Sequence, residues 1–359
     1  MTTTKKHLHF LYSQLLCALT GICLGLWAMF TTQSVTNEMF EPIVASCSTS
    51  NGSGSSNTST TDTENSNPSY ELHPYEPLLG GTFVCLVTQF LHELIQHPGG
   101  IFTWGVIASM GIVSGILMNV EADRGKTRGL IRYPTFVGAL SQIFGISVVF
   151  TLLWVPGYCY SQYMNHGSDI STPTMSRVHV ATAMSLLFPF LTLLVFNLDP
   201  SSYAWTFSAG LLGGPLVACS PILFSFLPYE KPSENELYKA GVSHILSKAY
   251  FIAAIISFVG YMINVRLITK IHGADFHSIF KEIWTNAHPS VAFMTIDILA
   301  FFLGILLYIS IQKRGMVGVL KVVITAPFVG PGCACAIVLW EQEHRRAISF
   351  LDDADEKEL

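Results

Sequence analysis

Apolar runs of about 20 residues, each long enough to carry an α-helix across the hydrocarbon of a bilayer, recur along this chain and constrain its fold more than any other feature. They lie near Phe10–Phe30, Ile101–Met118, Pro134–Val155, Arg177–Phe196, Tyr203–Leu227, His244–Asn264, Pro289–Ile311 and Val317–Trp340. The pattern predicts an all-α polytopic transmembrane helix bundle of about eight spans. A ninth segment, about Leu78 to Gln96, carries Gln89, His92, Glu93 and Gln96 and stops at Pro98-Gly99-Gly100. Charge in hydrocarbon costs several kcal/mol, so this segment reads as an interfacial or re-entrant helix. Composition agrees: 12% of residues are charged, about half the usual share of a soluble domain.

Four regions follow. Residues 1–30 read as an N-terminal signal-anchor span and 31–77 as a luminal Ser/Thr/Asn-rich loop. Residues 78–340 hold the multi-span bundle, and 341–359 an acidic cytosolic tail. Asn51 and Asn57 head N-x-[ST] sequons, which suit a luminal, glycosylated loop. The basic loop from Asn119 to Arg132 belongs in the cytosol. Together these place the chain in an endoplasmic-reticulum-type membrane with its N-terminus cytosolic. One feature conflicts with that count: it puts Gln312-Lys313-Arg314 in the lumen, against the charge rule. Cys47 and Cys159 fall in expected luminal loops, where they can pair. Cys17, Cys23, Cys333 and Cys335 lie in apolar runs and read as small hydrophobes.

Polar groups at membrane depth are the informative ones, because an unpaired one is costly there. Asn119, Glu121, Asp123 and Arg124 cluster where one span meets the cytosolic face. Glu121 and Asp123 are two residues apart and diverge on a regular helix; they converge only if the helix unwinds near Gly125. The other reading makes them solvated headgroup-level charges, with Arg128 and Arg132 as phosphate anchors. Asp297 lies deep in an apolar run, where burial favours the protonated carboxyl. It can serve as an acid or bond a neighbouring helix. Asn197 and Asp199 sit in a turn that doubles as a capping signature, while Arg177 and His179 open a span. Trp154, Tyr158, Tyr160 and Tyr163 suit either an aromatic belt or faces that stabilise a carbocation.

No nucleotide loop, zinc spacing, hydrolase elbow or dinucleotide fingerprint appears. Nor does an aspartate-rich motif for a magnesium diphosphate, so no metal and no cofactor is expected. No basic tract interleaved with aromatics suggests nucleic acid as a partner. Oligomeric state is not legible in the chain.

The stretch Asn119-Val-Glu-Ala-Asp-Arg-Gly, then Arg132-Tyr133-Pro134-Thr-Phe-Val-Gly-Ala-Leu-Ser-Gln142 and Leu153-Trp154-Val155-Pro156, resembles a family of fungal eight-span membrane proteins. Some of these are the membrane-bound terpene cyclases of ascochlorin and ascofuranone biosynthesis. The resemblance is clearest over residues 100–230, and the Ser/Thr tract and C-terminus lie outside it. It implies a lipophilic substrate, a prenylated aromatic with a terminal epoxide. It also implies a metal-independent, acid-triggered ring closure with no redox change. On that reading Glu121 and Asp123 form the acid/base pair and Asp297 is the competing acid. Asn119, Arg124 and Arg132 orient the carboxylates, and Tyr133, Trp154, Arg177, His179, Asn197 and Asp199 line the substrate. A transporter of a lipophilic or organic-anion solute and a non-catalytic membrane scaffold are the competing classes.

Overall fold

A computed structural model describes residues 2–49, 87, 90–91, 93–124, 127–165, 172–198, 235–273, 275–285, 287–312 and 315–358. Among these residues every element is helical. Helix α1 spans Thr2–Thr49 and α2 spans Pro98–Asp123, opened by Pro98. A 3-10 turn at Gly129–Arg132 leads to α3 (Pro134–Phe144). After Gly145 come α4 (Ile146–Val149), a π turn at Phe150–Trp154 and α5 (Val155–Met164). Helix α6 spans Met175–Leu198, α7 Glu236–His272 and α8 Phe276–Phe280, the last followed by a π turn at Lys281–Thr285. Helices α9 (Pro289–Ser310), α10 (Gly315–Val329) and α11 (Pro331–Glu358) complete the order.

Among the described residues four stretches are long and apolar enough to cross a membrane: Leu11–Val35 in α1, and α2, α7 and α9. Cross-helix contacts set their directions. Thr174, just before α6, meets Asp123 at the end of α2, and Ser185 lies against Gly115, so α6 runs back along α2. Ser257 of α7 donates to the Ser109 carbonyl at 3.3 Å, and Tyr238 receives Met175 N–H at 3.3 Å. Helix α7 therefore also starts at the Asp123 end. Tyr308 meets Glu121, so α9 finishes there. This end is called the Glu121 face below.

Two expected straight spans are helical hairpins. The first, expected over Pro134–Val155, breaks at Gly145, whose φ of 86° belongs to glycine. Helix α3 folds back on α4 and the π turn. Beyond them Arg128 N–H donates to Ser161 Oγ at 3.0 Å, and a side-chain carbon on Gly157 would lie 3.2 Å from Ile131. Residue 161 has returned to the level of residue 128. The second, expected over Val317–Trp340, breaks at Gly330 with φ 87°. There α10 and α11 lie antiparallel, with Lys321 paired to Glu341 at 2.6 Å and Gly318 against Val338. Both hairpins enter and leave at the Glu121 face. An apolar run of 20 residues reads the same straight or folded; the positive-φ glycine makes the difference.

This removes the conflict over Gln312. It bonds Tyr158 at 2.9 Å and Arg346 at 3.3 Å, on the same side as Arg124 and Arg128. Two region boundaries also change. Helix α1 continues through residues 31–49, expected as the start of a polar loop. Residues 341–358, expected as a tail, continue α11. The described part of the interfacial segment packs Leu91 and Leu94 on Val291 and Met294 of α9. The Tyr203–Leu227 span, His92, Asp199 and both sequons lie outside the described residues.

Candidate functional site

The site is built where the two hairpins meet α2 and α9. Glu121 Oε1, at the last turn of α2, accepts from Arg124 Nε at 2.9 Å and from Tyr308 OH at 3.1 Å. Arg124 also reaches Glu343 Oε1 of α11 at 3.0 Å. Glu343 Oε1 in turn accepts from Arg346. Glu121 and Arg124 are each 3% exposed and Glu343 is 5%. Two carboxylates and two guanidinium groups thus form one cluster, buried except for Arg346, whose side chain is 35% exposed. Burial alone would lower the pKa of Arg124, but the charges of Glu121 and Glu343 outweigh it and raise it. Glu343 likewise raises the pKa of Arg346, against burial and the charge of Arg124. Both arginines stay charged.

A second carboxyl centre sits deeper. Asp297 of α9 is 4% exposed, and its Oδ1 accepts from Ser147 N–H at 3.2 Å and from Ser147 Oγ. Ser147 is in the first turn after Gly145, so the carboxyl caps the tip of the first hairpin. Among the described residues no cation pairs with Asp297 and nothing bonds its Oδ2.

Aromatic rings join the two centres. On α9, Asp297, Phe301, Gly304 and Tyr308 follow at steps of four, three and four. On the hairpin arm, Ser147, Thr151, Trp154 and Tyr158 do the same, so each set occupies one helix face. Phe150 packs edge-on to Phe301 with centroids 5.1 Å apart and stacks on Trp154 at 4.7 Å. Trp154 stacks on Tyr158 at 5.6 Å, and Tyr158 meets Tyr308 at 5.0 Å. A side-chain carbon on Gly304 would lie 2.7 Å from Thr151, so the missing side chain lets the faces touch. From Asp297 to Tyr308 the column is about 16 Å long at ~1.5 Å per residue.

The other expected residues divide. Asp123 does not converge with Glu121: it accepts from Thr174 N–H and Oγ1, both at 2.7 Å, and pairs with Arg177 at 3.1 Å. The helix does not unwind before Arg124, so the two carboxylates keep divergent directions and the expected acid/base pair is not formed. Arg177 therefore docks α6. Asn119 is buried and gives its Nδ2 to the Gly115 carbonyl at 2.8 Å. Arg132 and Tyr133 are exposed and lie outside the cluster, as does the exposed His179, bonded to the Met175 carbonyl. Asn197 ends α6 away from the site. Trp154 and Tyr158 turn inward, while Tyr160 and Tyr163 face outward, so the expected aromatic group splits. Cys159 is a free thiol, and the side chain of Cys47, its expected partner, lies outside what is described. Sequence reasoning missed Tyr308, Glu343 and Arg346; the signal for Glu343 was a carboxyl two residues after Glu341 in a continuing helical pattern.

Glu343 Oε2, Trp154 Nε1 and Asn119 Oδ1 are buried without a hydrogen-bond partner. Among the described residues the geometry defines an all-helical protein with helices long and apolar enough to cross a membrane, two helical hairpins and a buried charge network at one face. No family model, curated protein or solved structure matches the chain.

Proposed function

We propose that the protein is a membrane-embedded cyclase that opens the terminal epoxide of a prenylated aromatic and closes a ring, without metal or redox change. The observation that carries this reading is the aromatic column with an unpaired carboxyl at one end and an ion-paired carboxylate at the other. Asp297, with no cation beside it among the described residues, is the proton donor. Its Oδ2 gives a proton to the epoxide oxygen as the C–O bond breaks with its electrons to oxygen. The faces of Phe150, Phe301 and Trp154 stabilise the positive charge left on carbon. A substrate alkene or hydroxyl closes the ring, and the last proton passes to Glu121, which is ion-paired with Arg124. The product is an isomer. The roles first given to Glu121 and Asp123 thus pass to Asp297 and Glu121.

The membrane arrangement belongs to the same proposal. Of the expected spans that fall on described residues, five cross: α1, α2, α6, α7 and α9. The two hairpins re-enter from the Glu121 face, which is cytosolic and holds both termini, in an endoplasmic-reticulum membrane. The substrate reaches the column from the bilayer by parting α9 from the first hairpin.

The test uses microsomes carrying the protein and a farnesylated phenol with a terminal epoxide, followed by mass-resolved chromatography. Wild type and Asp123→Asn yield an isomer of unchanged mass; Asp297→Asn and Glu121→Gln do not. A stably expressed wild type that leaves such epoxides untouched would overturn the proposal. A second reading, transport of a lipophilic or organic-anion solute, is favoured by the interrupted helices, a recurring feature of transporters. It predicts uptake of the unaltered compound into proteoliposomes.

A further inference from the structure

Helix α1 meets the returning arm of the first hairpin along one antiparallel seam. A side-chain carbon on Gly21 would lie 3.3 Å from Val155, and one on Gly25 would lie 2.8 Å from Thr151 Oγ1. Ala28 packs with Val148. As one partner advances along α1 the other retreats by the same number of residues. The α1 side of the seam is small throughout, which is how helices approach closely in lipid.

The next position in this register pairs Cys17 with Cys159. Both are free and both are buried, and each lies within electrostatic reach of the other. Cys17 Sγ also lies 3.7 Å from the Leu307 carbonyl, one residue before Tyr308. Cys23 is on the exposed side of α1, and Cys333 and Cys335 belong to α11.

We infer that Cys17 and Cys159 are an oxidisable pair that closes into a disulfide, stapling α1 to the hairpin arm that carries Trp154 and Tyr158. Two S–H bonds break and one S–S bond forms. The two electrons and two protons go to a small-molecule disulfide such as oxidised glutathione, which leaves as two thiols. Side chains that share one register position across a close helix seam are brought toward the short reach that a disulfide requires. This inference stands independently of the cyclase reading.

The test uses the full chain in membranes with a protease site inserted between residues 51 and 66. After treatment with oxidised glutathione or copper–phenanthroline, the chain is cleaved and run on a denaturing gel without reductant. The α1 fragment stays attached in wild type and is released by dithiothreitol. It separates in Cys17→Ser, which keeps Cys23 and Cys47 as internal controls, and in Cys159→Ser. A register control, Ala28→Cys with Val148→Cys in a background lacking Cys17 and Cys159, also links. If wild type separates while the control links, the pair is not oxidisable and the inference is overturned. If neither links, the seam itself is wrong. Attachment that survives in Cys17→Ser assigns the bond elsewhere and overturns it too.

Discussion

Arg124→Leu probes the buried cluster most directly. Arg124 sits between Glu121 and Glu343 at 2.9 and 3.0 Å, with side-chain exposures of 3%, 4% and 7%. The four charges sum to zero: Arg124 and Arg346 against Glu121 and Glu343. Removing Arg124 leaves one uncompensated buried negative charge, since Arg346 alone faces two carboxylates. Breaking a buried ion pair by deleting one partner costs about 3–5 kcal/mol. Lys321→Ala breaks a pair whose side chains are 44% and 29% exposed, and its expected cost is about 0–1 kcal/mol. Reversible unfolding in mixed micelles measures both. The double variant Arg124→Leu/Glu121→Leu removes opposite charges together and is less destabilised than the sum of the single changes. The cycle isolates that coupling. If Arg124→Leu costs under about 1 kcal/mol, or the two changes add without coupling, the cluster is not a buried paired network.

Four further outcomes are expected. Asp297→Asn keeps an acceptor for Ser147 and so keeps the fold, but abolishes isomer formation; intact unfolding behaviour with full activity would remove Asp297 from its role. Gly145→Ala forces a side chain onto a backbone with φ 86° and places a carbon 3.2 Å from Asp297 Oδ1. It should cost about 1–3 kcal/mol and reduce turnover together, read by unfolding and product assay on one preparation. Gly304→Leu drives α9 off Thr151 and lowers the cross-linking yield of cysteines placed on the two faces of that seam. His288, stacked on His97 with centroids 4.3 Å apart, has its pKa lowered by burial and then by the His97 charge, against Glu93. The unfolded state therefore binds the proton more readily. Stability is present above the ordinary histidine range near pH ~6.5 and falls as pH drops through the lowered value. His288→Gln should flatten that decline in a pH series of unfolding midpoints.

Much of the candidate site was visible as residue types and little of it as contacts. Glu121, Arg124 and Asp297 stood out because charge inside an apolar run is costly wherever the run folds. Their roles were not visible. Whether Glu121 faces Asp123 or Tyr308 depends on helix rotation, and the regular helix through residue 123 turns Asp123 toward Thr174. Glu343 and Arg346 looked like part of a solvated tail because their surroundings in sequence are charged; only the return of α11 buries them. The stripe from Asp297 to Tyr308 was countable from spacing, but its partner stripe from Ser147 to Tyr158 lay across the end of a segment expected to be one straight span, Pro134–Val155.

By itself the sequence determined the helical class, the apolar helices compatible with a bilayer and the residues whose burial demands a partner, since all three follow from local apolar content and spacing. Only the tertiary structure decided which apolar runs stay straight and which turn back, and which distant charges meet. Hydropathy measures how a segment partitions from water to lipid and carries no direction. Direction came from two glycines able to adopt positive φ, and from side chains such as Arg124 that are stable in the interior only where separate helices bring opposite charge to them.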